Sequence, residues 1–202
     1  MREKKEHIVI DAFEADIEAD YLIWEKPKKQ KKYLEKIAAH IGKIIIEFNK
    51  LEWQLTEVLK QYFCDNGEEL SAIYYDLISS RNFASKVDLL KSFYKVYGNG
   101  TKKSVFNSSE ELKDWDKQVD QLIEKLKKSA QIRNKYAHCF WHRLEQNKFV
   151  EFKSVIDSKK GLQKVFIKFD KQDIKDDLQT ISDLEIDLYN IDSIFNEAYT
   201  ST

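Results

Sequence analysis

Apolar residues recur at alternating three- and four-residue steps along most of this chain. Ile37, Ile41, Ile44, Phe48, Leu51, Leu55, Val58 and Tyr62 form the longest such line and predict one long helix over about 34–63. Asp65-Asn66-Gly67 ends it with turn residues, and a short helix follows over 68–78. Phe83, Val87, Leu90, Tyr94 and Tyr97 predict a further helix, stopped by Gly98-Asn99-Gly100 at the head of a polar loop over 98–108. Ser108 or Ser109, with acids behind it, offers an N-cap for a helix carrying Leu112, Trp115, Val119, Leu122 and Leu126 toward residue 137. The period then changes. Segments 149–156 and 162–169 alternate apolar and polar residues, are rich in Val, Phe and Ile, and flank Asp157-Ser158-Lys159-Lys160-Gly161, which predicts a β-hairpin. Asp170 or Asp173 caps a last helix with Ile174, Leu178, Ile181, Leu188, Ile191, Phe195 and Ala198 in line. The expected fold is mainly all-α: a helical bundle with one inserted β-hairpin near 149–169, before the last helix.

Residues 1–34 read differently from the rest. Ile10, Phe13, Ile17, Tyr21 and Trp24 recur at helical spacing among Asp11, Glu14, Asp16, Glu18 and Asp20, although His7-Ile8-Val9-Ile10 also suits a strand. Pro27, the only proline, stands inside a basic run of Lys26, Lys28, Lys29, Lys31 and Lys32. The expected organisation is an N-terminal extension over 1–34, an acidic helix and then a basic linker, followed by a bundle domain over 35–202.

Composition agrees with a helical class. The 202 residues include 5 Gly and 1 Pro, where average usage would supply about 14 Gly and about 10 Pro. Turn-rich β folds lack their punctuation here. The 34 basic and 35 acidic residues nearly cancel, so no global field marks a nucleic-acid binder and any such role must come from local charge. Two cysteines, Cys64 and Cys139, build no disulfide framework and suggest a reducing compartment. With no apolar leader and no run of membrane-spanning length, a cytoplasmic protein without membrane association is expected.

One window departs from the mixed charge. Residues 125–144 contain Lys125, Lys127, Lys128, Arg133, Lys135 and Arg143, with His138 and His142, and no Asp or Glu. Cations at a helix C-terminus, meeting its dipole, would account for charge alone. Arg133 adds something more specific: the line Leu122, Leu126, Ala130 leads by helical steps to Arg133 and then Ala137. An arginine on an apolar line points toward an interface or groove, where it needs an anion or acceptor. Asn134 and His138 are one turn apart. His138 lies about 140° around an ideal helix from Arg133, so the two flank one surface, and a second copy across a two-fold axis can bring them together.

Arg133-Asn134-Lys135-Tyr136-Ala137-His138 resembles the Arg-polar-x-x-x-His signature of the HEPN superfamily, helical-bundle proteins that include many metal-independent RNases. The resemblance covers about 35–200. Phe140 stands where the toxin branch of the family often carries Tyr. The resemblance implies RNA cleavage by the substrate's own 2′-OH, leaving a 2′,3′-cyclic phosphate, at a composite site between two motifs in a homodimer. His138 would move the proton, Arg133 would stabilise charge on the phosphoryl oxygens, and Asn134 would orient His138 or bond the phosphate. Lys127, Lys128, Lys135, His142 and Arg143 would supply RNA contacts. It implies no metal or cofactor, and a toxin-antitoxin, phage-defence or CRISPR-linked role with an antitoxin or other regulatory protein partner. The alternative is a non-catalytic helical module that binds RNA or a protein through the same groove.

Other signals point less far. His138 and His142 have the spacing of a helical zinc pair but lack the intervening Glu of metalloproteases. Cys139 beside basic residues suits either a low-pKa nucleophile or a packed thiol. Glu47 and Glu52 suit a solvated helix flank, with Glu52 also within range of a salt bridge to Arg133. Arg81-Asn82 repeats the Arg-Asn pair without a following His and suits a helix start. The basic run at 26–32 suits a solvated face, RNA phosphates or an acidic helix. No Gly-rich loop of the P-loop type is present.

Overall fold

Pro27 opens the longest helix in the computed structural model, which describes residues 7–11, 27–63, 68–98, 109–138, 140–143, 149–157, 161–169 and 171–200. The described residues form five helices, in order α1 (Pro27–Phe63), α2 (Glu68–Ser79), α3 (Phe83–Gly98), α4 (Ser109–His138) and α5 (Lys171–Thr200). Among the described residues four strands accompany them: β1 (His7–Asp11), β2 (Phe140–Arg143), β3 (Phe149–Asp157) and β4 (Gly161–Phe169). The described chain is therefore mainly helical.

The start of α1 lies earlier than residue 34. Proline suits the first helical position, because its missing N–H would have no intrahelical acceptor there and its φ is already helical. The basic residues at 28, 29, 31 and 32 consequently ride on the first turns of α1 instead of forming a linker. His7–Asp11, in turn, is a strand, so Ile10 does not begin a helix. The expected helix through Phe13, Ile17, Tyr21 and Trp24, the turn at 65–67, the loop from 99 to 108, the turn at 158–160, Asp170, Cys64 and Cys139 lie outside the described residues.

The chain divides into two compact units, each built from two stretches of chain. One unit comprises Ile46–Arg133 with Gln179–Thr202. In it Glu52 of α1 meets Lys86 of α3 and Tyr62 stacks on Phe93, so α1 and α3 run in the same direction. Trp115 against Tyr94 and Lys127 against Asp88 set α4 antiparallel to α3. Gln54 donates to the Glu185 carbonyl and Tyr62 to Asp192, so α5 runs alongside α1. The interior of this four-helix arrangement is aromatic at one end. Tyr62, Phe93, Tyr94, Trp115 and Phe195 pack with ring centroids 4.5–6.3 Å apart, each such pair adding about 1 kcal/mol to its area burial. The predicted lines of α1, α3, α4 and α5 supply the buried positions: Leu51, Leu55, Val87, Leu90, Val119, Leu122, Ile181 and Leu188 are essentially inaccessible.

The other unit comprises Met1–Ile45 with Asn134–Leu178. Its strands form an antiparallel sheet in the order β1-β4-β3-β2. Phe149 stands opposite Phe169 and Asp157 opposite Gly161. His7 stands opposite Ile167, and Arg143 opposite Phe149. Thus β1 and β2 are the two edges. Ile37, Ile44, Tyr136 and Ile174 are buried helical residues of this unit.

Candidate functional site

The motif occupies the last turns of α4, and the burial pattern there differs from the line drawn through the sequence. Beyond Leu126 the buried positions are Ser129, Ile132 and Tyr136, not Ala130, Arg133 and Ala137. Both lines obey helical spacing; the two differ by one residue, and only packing selects between them. Ser129 tolerates full burial because its hydroxyl donates to the Leu126 carbonyl at 2.7 Å within its own helix. Arg133 is left half-buried at the flank, with its guanidinium carbon 5.9 Å from the ring centroid of Phe48. A guanidinium over an aromatic face is attracted to the ring and held in orientation.

Arg133 belongs to the unit of Ile46–Arg133, and Asn134 and His138 to that of Asn134–Leu178. Asn134 and His138 are both exposed, and His138 is the last residue of α4. Between them Lys135 and Tyr136 are tied down: Lys135 Nζ and Tyr136 Oη lie 2.7 and 2.9 Å from Asp177 Oδ2. The motif thus alternates anchored and solvent-facing side chains.

The acid-free window is not a free basic surface, because acids arrive from other helices. Lys125 pairs with Asp187 at 2.6 Å and Lys127 with Asp88 at 2.8 Å, beside the Lys135–Asp177 pair. Lys128 is exposed and makes no ion pair among the described residues. His142 and Arg143 lie on the edge strand β2, opposite Val150 and Phe149. Because α4 ends at His138 and His142 stands on a strand, the helical spacing suited to zinc does not form. Among the described residues no three His, Cys, Asp or Glu side chains gather into a metal site, and no helix is long and apolar enough to cross a membrane.

Two neighbouring signals resolve into structure. Glu52 bonds Lys86, whose Nζ lies 3.0 Å away. Asn82 caps α3, its Oδ1 accepting from Ser85 N at 2.9 Å, which accounts for the Arg81-Asn82 pair.

Sequence reasoning passed over a second constellation, in the unit of Ile46–Arg133 with Gln179–Thr202. Asp192 on α5 is more than half-buried, and its Oδ1 accepts from Tyr62 Oη at 2.6 Å and Tyr94 Oη at 2.8 Å. Burial pushes its pKa up, against the two tyrosine donors that lower it. Burial, with the Asp192 charge behind it, drives the Tyr94 hydroxyl far above its ordinary range, so Tyr94 remains a donor. The one available signal was an acid next to Ile191 on the apolar line of α5. Comparisons with protein-family models, with curated proteins and with solved structures find no match to this chain.

Proposed function

We propose that this chain is a metal-independent endoribonuclease of HEPN type, a HEPN-like bundle with the segment near 149–169 inserted before the last helix. The observation that carries this reading is the arrangement at the end of α4. There Arg133 is half-buried against Phe48 while Asn134 and His138 reach solvent at its last turns. An oriented guanidinium suits the phosphoryl oxygens of a trigonal-bipyramidal transition state, and an accessible imidazole suits proton transfer near neutral pH.

In this mechanism the 2′-oxygen attacks the adjacent phosphorus and the bond to the 5′-oxygen breaks. The 2′-OH proton passes to a base and the leaving oxygen gains one, steps in which His138 serves. Arg133 neutralises the charge growing on the non-bridging oxygens, and Asn134 orients His138. Two copies of the chain supply one composite site. Lys128 is the most available phosphate contact of its helix. Lys127 and Lys135 would exchange carboxylates for phosphates, and His142 and Arg143 would extend the contact. Restriction of growth under a protein inhibitor, or defence against phage, suits such an activity.

Incubation of the purified chain with total RNA in EDTA tests the proposal. Cleavage is expected to leave cyclic phosphates and to fall by about 100-fold or more in His138→Ala and Arg133→Ala. Equal cleavage by parent and variants overturns it. A second reading is favoured by the ion pairs of Lys125, Lys127 and Lys135, which reduce the free basic surface: a non-catalytic helical module binding RNA or a protein. RNA binding without cleavage supports that one.

A further inference from the structure

We infer that the cleft between α1 and α5 beside Asp192 is a binding site for a guanidinium group, carried either by a free arginine-like molecule or by an arginine of a peptide. The cleft has a volume of about 590 Å³ and is lined by Trp53, Gln54, Glu57, Lys60, Tyr189 and Asp192 among others. All of these residues belong to the unit of Ile46–Arg133 with Gln179–Thr202.

The chemistry of the walls selects the ligand. Trp53 and Tyr189 are 65% and 66% exposed, while Phe48, Phe93, Tyr94, Trp115 and Phe195 of the same unit are buried. Both line one cleft, and cations over Trp and Tyr rings are attracted by the ring quadrupole. Asp192 lines the cleft too, with Oδ1 occupied by two tyrosine hydroxyls and Oδ2 without a hydrogen bond among the described residues. The carboxylate is thereby locked in orientation with one acceptor to offer. Gln54 spends its amide N–H on the Glu185 carbonyl at 3.0 Å, which leaves its side-chain oxygen as another acceptor. Glu57 adds a carboxylate.

Lys60, the one cation lining the cleft among the described residues, is already engaged with Glu57 at 3.5 Å and over the Tyr75 ring at 4.8 Å. The cleft therefore carries surplus acceptors, a net negative charge and stacking faces. An anion is disfavoured there. A compact ammonium ion satisfies the charge but not the dispersed acceptors. A planar guanidinium has five N–H donors in a rigid fork, stacks on aromatic faces and sheds water more readily. Burial raises the pKa of Asp192, and a cation beside Oδ2 would offset the cost of keeping that carboxylate ionised.

The test is calorimetric titration of the full chain with N-acetyl-arginine amide, its neutral citrulline counterpart and an arginine-centred peptide. Saturable binding of the arginine amide is expected, with the citrulline counterpart weaker by about tenfold or more. Trp53→Ala is expected to lose the binding and Trp53→Phe to keep part of it. Both change an exposed side chain, so circular dichroism should match the parent. Asp192→Asn should lose it too. Peptide binding tighter than the amide identifies a peptide source, and equal affinities identify a free molecule. Equal binding of arginine and citrulline, absence of saturable binding, or full binding by Trp53→Ala overturns the inference. Arg133→Ala should bind as the parent does, so this result stands apart from RNA cleavage.

Discussion

Lys135 Nζ lies 2.7 Å from Asp177 Oδ2, an ion pair closing a separation of 42 residues. The same oxygen accepts from Tyr136 Oη at 2.9 Å, and Tyr136 is only 2% exposed. One carboxylate therefore fixes two consecutive motif residues and leaves Asn134 and His138 to solvent. Asp177→Ala is expected to destabilise the chain by about 1–3 kcal/mol, because it strands a buried hydroxyl as well as an ammonium. Tyr136→Phe should cost about 1 kcal/mol. Urea titrations of both variants check the order, and a smaller loss in Asp177→Ala than in Tyr136→Phe would contradict it.

Lys86 is 4% exposed and bonds Glu52, which remains partly solvated. Lys86→Ala removes both the packed stem and the cation, so a loss of about 2–4 kcal/mol is expected. Lys86→Met restores the stem and leaves Glu52 with its access to water, so its loss should be about 1–2 kcal/mol. Thermal unfolding of the two variants separates packing from charge. Equal losses would assign the whole effect to the ion pair.

Among the described residues, Lys128 of α4 has no carboxylate partner such as Lys127 and Lys135 each have. If RNA binds this surface, Lys128→Ala should weaken binding more than Lys127→Ala and reduce the slope of log affinity against log salt by about 0.7–0.9. Filter binding over a salt series measures it. The same slope in Lys128→Ala and the parent would remove Lys128 from the contact.

A composite site predicts complementation. Each single variant, Arg133→Ala or His138→Ala, should be inactive alone. A mixed dimer retains one Arg133 and one His138 on opposite copies, and an equimolar mixture should regain part of the cleavage. Size-exclusion chromatography of the mixture shows whether mixed dimers formed. Mixed dimers without cleavage would place both residues in a site within one copy.

Asp192 gives a pH signature with a definite sign. Its folded-state pKa is raised by burial above its ordinary value, so the folded state holds that proton more tightly than the unfolded chain does. The stability tied to this group is complete below the ordinary aspartate value and is lost as pH rises through the raised one. Asp192→Asn carries no such loss, while its amide oxygen still accepts from Tyr62 and Tyr94. The stability of Asp192→Asn relative to the parent should therefore grow from acid to neutral pH. Urea midpoints measured across that range test it, and a constant difference would show that Asp192 titrates alike folded and unfolded. Glu185, raised by burial and then by the Glu47 carboxylate, shifts with the same sign and cancels in the comparison.

What the sequence determined by itself was the helical part of this protein. A three-to-four-residue period is a local property, so Phe48, Leu51, Leu55 and Val58 could be assigned to one buried face before any fold was known. The proposal for Arg133 and His138 rests on equally local information, residue type and spacing. Tertiary structure decided whatever depended on residues far apart in the chain. The choice of Ile132 over Arg133 for burial turned on one residue of helical drift, settled by packing. The acids Asp88, Asp177 and Asp187, which neutralise much of the 125–144 window, come from other helices and are invisible to a charge count within it. His7–Asp11 became a strand because the edge of β4, about 155 residues on, offered its backbone groups a ladder. Asp192 became a candidate site only when Tyr62 and Tyr94 closed around one of its oxygens, since burial and hydrogen bonding belong to the folded state and not to the residue.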